Sequence, residues 1–263
     1  MKLIIATPFY EMKGYSPYIT SLAVSLTALC KAGVEYEYWD LSGDSYVDRA
    51  RNTICERFLE SDGTDLLFID SDMSWNVMGL VNILKSPFEI TGAAYPVKNN
   101  WGEFGVKIDV FEDGHPKVNL PTGLIKALWV PAGFLRIKRS ALERIKAEYP
   151  HKKYEDVNAD PENPKRKYTS YFECEIIDGQ RYGEDVSFCK KWTDIGGEIW
   201  VEPRITFSHF GLKEWEGNYH EYLHNLLGTE IYQYAPPEHV HKYLKSEMKR
   251  IVNSFKDRSS CFA

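Results

Sequence analysis

Asp70-Ser71-Asp72 closes the apolar run Leu66-Leu67-Phe68-Ile69. Two carboxylates at positions i and i+2 repel each other unless a cation lies between or beside them. A continuous apolar run of this length predicts a buried central strand. The place where such a strand leaves the sheet is the usual ligand crevice of an open α/β fold. The pair therefore reads as a metal–diphosphate site. Asp and Ser also build helix N-caps and turns, so the tripeptide by itself leaves both uses open.

Glu184-Asp185, just after Gly183, is the second acidic pair. A carboxylate held within hydrogen-bond reach of a hydroxyl can take its proton. Acids at this place also favour the first turn of a helix for its dipole alone. His209 stands near a strand end in Ser208-His209-Phe210-Gly211, a place for either a metal ligand or a structural histidine.

The elements that must position these groups follow from periodicity and punctuation. Residues 3–7 predict a first strand stopped by Pro8. Ser16 as N-cap, Pro17 at the first helical position and Gly33 as a stop frame a helix over 17–32, with Leu22, Leu26 and Leu29 on one face. Val34 to Trp39 predicts a strand, Asp44 to Leu59 a helix, 75–85 another helix, and Ile90 to Tyr95 a strand. This alternation indicates βαβ units and a mainly parallel sheet. Further on, 104–111 and 116–120 predict an antiparallel hairpin. Residues 128–137 predict one strand kinked at Pro131-Ala132-Gly133. Helices are expected over 139–148 and from 183 to about 194, and short strands near 198–202 and 205–209. The charged, weakly periodic stretch 150–182 reads as a long mobile loop.

The fold class is thus α/β, with a Rossmann-like mixed, mainly parallel central sheet flanked by helices. The expected division is one domain over 1–211 and a helical C-terminal extension over 212–263. In the extension, Val240, Tyr243, Leu244, Met248, Ile251, Val252 and Phe255 recur at helical spacing. That helix packs on the core or a partner, as in a homo-oligomer, or lies on a membrane surface with Lys242, Lys245, Lys249 and Arg250 outward.

The chain has 263 residues, 43% of them hydrophobic, and a net charge of −6. The charge disfavours tight nonspecific binding to duplex nucleic acid, without excluding a local basic groove or a nucleic-acid acceptor. Five scattered cysteines without CxxC spacing read as reduced thiols, neither a disulfide framework nor a zinc site. The first apolar run is too short for a signal peptide, and no run reaches membrane-span length. The expected location is cytoplasmic, or the host cytoplasm for a viral protein. The 17 Tyr and 7 Trp suit a protein handling sugars, and equally a plain aromatic core.

Four motifs occur in order. They are a strand ending in Asp-x-Asp, Gly133-Phe134-Leu135-x-Ile137-x-x-Ser140, Gly183-Glu184-Asp185-Val186-Ser187-Phe188-Cys189, and Ser208-His209-Phe210-Gly211. Together, over residues 1–211, they resemble the GT-A-fold nucleotide-sugar glycosyltransferases, nearest the compact family-2-like enzymes of bacteriophages and large DNA viruses. The resemblance implies a divalent metal, Mn²⁺ or Mg²⁺, bridging two donor phosphates at Asp70 and Asp72, with Asp72 as direct ligand and Asp70 also contacting the donor. His209 matches a further ligand, and imidazole ligation favours Mn²⁺. Thr7, Pro8 and Tyr10 match the place where the donor base rests. Arg49, with Asn52 beside it, matches the basic helix position facing the donor. Ser71 and Tyr95 fall on the donor side, and Gly133 keeps the floor open by lacking a Cβ. Asp185 matches the acceptor base of inverting members, with Glu184 binding hydroxyls. In a retaining enzyme Asp185 would orient substrates instead.

The implied function is transfer of a sugar from a UDP- or GDP-type donor to a hydroxyl acceptor, whether glycan, protein-linked sugar or modified base. Two rivals share the fold: a sugar-1-phosphate nucleotidyltransferase, and a noncatalytic nucleotide- or glycan-binding relic. The nucleotidyltransferase usually carries a Gly-rich basic loop after the first strand, where this chain has Pro8-Phe9-Tyr10-Glu11. Trp101, Trp215 and Tyr219 are candidates for stacking on an acceptor.

Overall fold

A computed structural model gives the structure of the protein and describes residues 1–156 and 165–227. The chain opens with β1 (Lys2–Phe9), α1 (Ser16–Lys31), β2 (Glu35–Ser42), α2 (Val47–Glu60) and β3 (Asp65–Ile69). After β4 (Met73–Trp75), α3 (Val77–Leu84) and β5 (Ile90–Ala93) come β6 (Lys107–Ile108), β7 (Val118–Asn119), β8 (Leu124–Trp129) and β9 (Phe134–Lys138). Then follow α4 (Arg139–Glu148), β10 (Lys153–Glu155), β11 (Lys167–Thr169), β12 (Glu175–Ile177) and β13 (Gln180–Tyr182). The described chain ends with α5 (Glu184–Asp194), β14 (Ile199–Glu202), β15 (Thr206–Phe210), β16 (Glu214–Asn218) and α6 (Tyr219–Leu227).

Among the described residues the main sheet has nine strands in the order β2-β1-β3-β9-β5-β14-β8-β6, with β7 also paired to β8. β9 and β8 run against the rest, so the sheet is mixed with most strands in one direction. Strand side chains alternate between faces. Ile4, Ala6, Leu66, Phe68, Leu135 and Ile137 pack with residues of α2, α4, α5 and α6 on one side. Leu3, Ile5, Leu67, Ile69 and Phe134 pack with α1, α3 and β15 on the other. The fully apolar reading of 66–69 follows from this, because β3 is buried on both faces.

Several elements differ from the sequence reading. Pro8 does not stop β1. It lies within the strand, paired only toward β2, because the β3 side of the pairing reaches no further than Ala6–Phe68. A proline is tolerated where one ladder has already ended. Ser16 is inside α1 and Tyr15 is its N-cap, without a side-chain cap bond. Trp75 belongs to β4, and α3 begins two residues later behind Asn76, whose Oδ1 accepts from Gly79 N at 2.7 Å.

Residues 128–137 are not one kinked strand. β8 and β9 are separated in the sheet by β5 and β14, and the link between them crosses the face of β5. A Cβ on Gly92 would lie 2.7 Å from Val130. The stretch 150–182 is not one long loop either. It holds the hairpins β10–β11 and β12–β13, and Tyr168, Tyr171 and Phe172 are fully buried. Three aromatics within five positions anchor a segment whose charges hide any periodicity.

A second, three-stranded sheet in the order β16-β15-β4 lies at the carboxyl end of β3. Beyond it, α6 places Tyr219 and Leu223 in the core. The helix expected over 240–255 lies outside the described residues.

Candidate active site

β3 ends at Ile69, and Asp70 leaves the sheet with its N–H donating to Gly133 O at 2.9 Å. Ser71 O accepts from Tyr15 N at 3.3 Å, so the acidic turn is tied to the start of α1. β4 then pairs with β15 in the register Met73–His209, and Phe210 N donates to Asp72 O at 2.7 Å. That register brings His209 to Asp72 across 137 positions of sequence (209 − 72). His209 Nε2 stands 3.6 Å from Asp72 Oδ1.

The histidine's other nitrogen lies 2.8 Å from Pro96 O. A carbonyl only accepts, so Nδ1 carries a proton toward Pro96 O, and Nε2 is the ring atom directed at the carboxylate. Tyr95 sets its ring edge-on to the imidazole at 5.1 Å. Asp72 Oδ1 is buried without a hydrogen-bond partner, whereas Oδ2 is contacted by Lys98 Nζ. Burial works to raise the Asp72 carboxyl, but His209 and Lys98 outweigh it and hold it below its ordinary range.

The other half of the site is a charge network centred on Arg51. Arg51, on α2 and only 3% exposed, donates from Nη2 to both Asp70 oxygens at 2.9 and 3.1 Å. Its Nη1 donates to Glu184 Oε1 on the first turn of α5. Burial opposes the guanidinium charge, yet Asp70 and Glu184 outweigh it and raise its affinity for the proton. Asp70 itself is pushed up by burial, with Arg51 opposing and Asp72 adding to the rise. Among the described residues Asp185 makes no ion pair, and it accepts a bond from Val186 N at 2.8 Å through Oδ1. Burial, then the charge of Glu184, raises its carboxyl.

Gly133 stands where these halves meet. A Cβ there would lie 2.4 Å from Tyr95 Oη and 2.7 Å from Asp70 Oδ2. Gly133 N donates to Tyr95 Oη at 3.1 Å. Burial, and next the Asp70 charge, raise the Tyr95 phenol well above its ordinary range, so it stays protonated.

Asp70, Asp72, Tyr95, Gly133, Glu184 and His209 therefore share one connected site, with Asp185 beside Glu184. Arg49 is directed elsewhere: Asp44 accepts from its Nε and Nη2 at 2.8 and 2.7 Å. Arg51, two positions on, occupies the place expected of Arg49. Asn52 is a buried clamp on the 150–182 segment, accepting from Phe172 N and donating to Phe172 O, both at 2.8 Å. The Thr7 hydroxyl is 2.6 Å from that of Tyr18 and buried, leaving only its backbone for a ligand. Tyr10 beyond Pro8 is 67% exposed and free to stack. Of the stacking candidates, Trp101 is exposed but Tyr219 is core.

The sequence does carry a signal for Arg51. It lies four and seven positions before Cys55 and Phe58, both fully buried, so it shares the inward face of α2.

Among the described residues no three His, Cys, Asp or Glu side chains converge as a complete metal site. Asp72 and His209 do fit a partial one. An unpartnered carboxylate oxygen and the imidazole Nε2 face each other, and an oriented carbonyl sits behind the imidazole. The remaining ligands would have to come from the bound molecule or water.

No protein-family model matches the chain, and no curated protein matches it. Solved structures are similar at a distance. The protein A197 from STIV is 19% identical, with a TM-score of 0.48, covering 80% of this chain and 86% of that one. GalNAc-T7, solved with UDP, GalNAc and Mn²⁺, is 12% identical with a TM-score of 0.43, covering 82% and 44%. The inositol-1-phosphate CTP transferase from T. maritima is 8% identical with a TM-score of 0.40, covering 78% and 88%. At these TM-scores the fold class rests on the strand order and helix layers above.

Proposed function

We propose that the protein is a metal-dependent glycosyltransferase that moves a sugar from a UDP- or GDP-type donor to a hydroxyl acceptor. The observation that carries this reading is the unpartnered Asp72 Oδ1 facing His209 Nε2 at 3.6 Å. It lies at the carboxyl end of a central strand, where open α/β sheets bind their ligands. Asp72 and His209 would hold Mn²⁺, the better match of the two cations for an imidazole ligand. A divalent cation held by them would supply positive charge for the leaving nucleoside diphosphate.

The chain's own residues do the rest. Asp70, fixed by two bonds from Arg51, is held rigid toward the donor. Tyr95, protonated and oriented at Gly133, presents a fixed polar group beside Asp70. Glu184 is committed to Arg51, which leaves Asp185 as the unpaired carboxylate of α5. Its raised proton affinity suits it to accept the proton of an attacking hydroxyl in an inverting reaction. In a retaining one it orients the substrates. Tyr10 offers a ring for the donor base.

The catalytic unit in this reading spans 1–211, and 212–263 is an extension whose first part, β16 and α6, completes the fold. The nucleotidyltransferase alternative gains nothing from the geometry. The segment after β1 carries Lys13, but it is 3.1 Å from Glu11 and no glycine-rich loop precedes it.

A thermal-shift screen of UDP-, GDP- and CDP-sugars with and without Mn²⁺ tests the reading. The expected result is a Mn²⁺-dependent rise for one nucleotide class, lost in Asp72→Ala, with hydrolysis of that donor reduced about 100-fold or more. A shift untouched by that substitution would remove the metal site from the proposal.

A further inference from the structure

Among the described residues Lys98 is the one lysine or arginine that reaches Asp72, and its chemistry differs from that of Arg51. Its Nζ contacts Asp72 Oδ2, while Asp72 Oδ1 has no hydrogen-bond partner. It stems from the same segment that orients the histidine, since Pro96 O, two positions earlier, accepts from His209 Nδ1. The Lys98 stem lies against Gly211, where a Cβ would come within 3.3 Å of its Cδ and 3.1 Å of the Trp215 ring. That fit guides the ammonium to Asp72 without a second carboxylate to hold it: among the described residues its one ion pair is with Asp72.

An arginine's planar fork can hold two carboxylates at once, as Arg51 does with Asp70 and Glu184. A lysine is a point charge on a flexible stem, strongly hydrated and able to re-aim its three donors. Both partners here are about one-third exposed, at 33% and 27%, so the pair is weakly held compared with a buried one.

We propose that Lys98 is a resident counter-cation. It neutralises Asp72 before metal loading, is displaced by the divalent ion, and then takes hold of the donor diphosphate. This rests on the metal-site reading given above. No bond to carbon or phosphorus changes in the exchange. One ion pair, Lys98–Asp72, is replaced by a metal–carboxylate contact and an ammonium–phosphate contact, so the added positive charge of the metal meets the added negative charge of the ligand. Lys98 is in this role a positioning residue for the diphosphate, and it couples metal and donor binding.

Two probes read the two halves of the exchange in the full chain: Mn²⁺ alone, and inorganic pyrophosphate at saturating Mn²⁺. Lys98→Met keeps most of the stem and removes the charge. It should bind Mn²⁺ alone roughly three- to tenfold more tightly, because the competitor is gone. It should bind pyrophosphate roughly tenfold more weakly, because the recaptured phosphate contact is lost. Damage to the site would weaken both, so opposite signs identify the exchange. Lys213→Met, at a lysine held 2.7 Å from Asn100 Oδ1, should change neither and controls for the general field.

Effects of the same sign in Lys98→Met, or none, overturn the proposal while leaving the metal site intact. Tighter Mn²⁺ with unchanged pyrophosphate overturns the recapture. Mn²⁺ binding that is indifferent to Asp72→Ala overturns the metal reading and this proposal together.

Discussion

The two ends of the acidic turn, only two residues apart, are built on opposite principles. At the Asp70 end the two carboxylates are answered by one buried guanidinium: Arg51 is doubly bonded to Asp70 and bonded again to Glu184, and its Nε alone lacks a partner. At the Asp72 end one carboxylate oxygen has no hydrogen bond, and its neighbours are the His209 imidazole and a lysine. A guanidinium inside a protein is a permanent strut, since it cannot lose its proton and its planar fork fixes geometry. An under-answered carboxylate is a cost carried by the fold, and such costs concentrate where a ligand completes the site. The difference separates a scaffold from a receptor within one turn.

The comparison breaks most visibly at Arg51. Arg51→Met would leave Asp70 and Glu184 as uncompensated, largely buried charges. Removing one partner of such a network costs about 3–5 kcal/mol, so chemical denaturation should show a loss of that order. A variant of near wild-type stability would mean that the strut is not structural. Asp72→Ala on the receptor side should, by contrast, leave the fold intact while ending the metal response.

Gly133→Ala probes the seam between the two ends. The added methyl would meet Tyr95 Oη and Asp70 Oδ2 well inside contact distance, and overpacking of this kind costs about 1–3 kcal/mol. Donor binding should fall with stability, because Asp70 must yield. Unchanged melting and binding would show that the floor has slack.

The smallest effect on stability is expected at Asp185. Its folded-state proton affinity is raised by burial and by Glu184, so at neutral pH the charged form disfavours folding. That penalty is full well above the raised value and fades as pH falls through it toward the ordinary carboxylate range. Asp185→Asn keeps an oxygen for Val186 N and should stabilise the protein by about 1 kcal/mol or less at pH 7. The gain should shrink toward pH 4 in paired melting curves, while turnover is lost. A pH-independent difference would contradict the assigned cause.

Much of the fold was legible because its strands are buried on both faces. Runs such as Leu66 to Ile69 need no partner to identify them, and Gly33 and Pro17 mark helix ends through backbone restrictions that belong to the residues themselves. The carboxylate pairs were legible for a similar reason: like charges at strand and helix ends require an answer wherever the chain folds. The failures share a cause as well. Pro8 is tolerated in β1 because of which neighbour has ended beside it, and 128–137 divides because β5 and β14 come between β8 and β9. The buried anchors of 150–182 were masked by the charges around them.

Sequence alone thus determined the α/β class, the acidic turn, and the candidates Glu184, Asp185 and His209. Tertiary structure decided which of them meet. Arg49 and Arg51 are equivalent as residue types, but two positions on a helix turn the side chain by about 200°, and only the tertiary fold, by setting Asp70 and Glu184 beside it, selects Arg51. Likewise Asp72 and His209 come together through the register of β4 on β15. Local propensity cannot set a pairing between strands so distant in sequence, because each strand must bury its own face before the register between them is fixed.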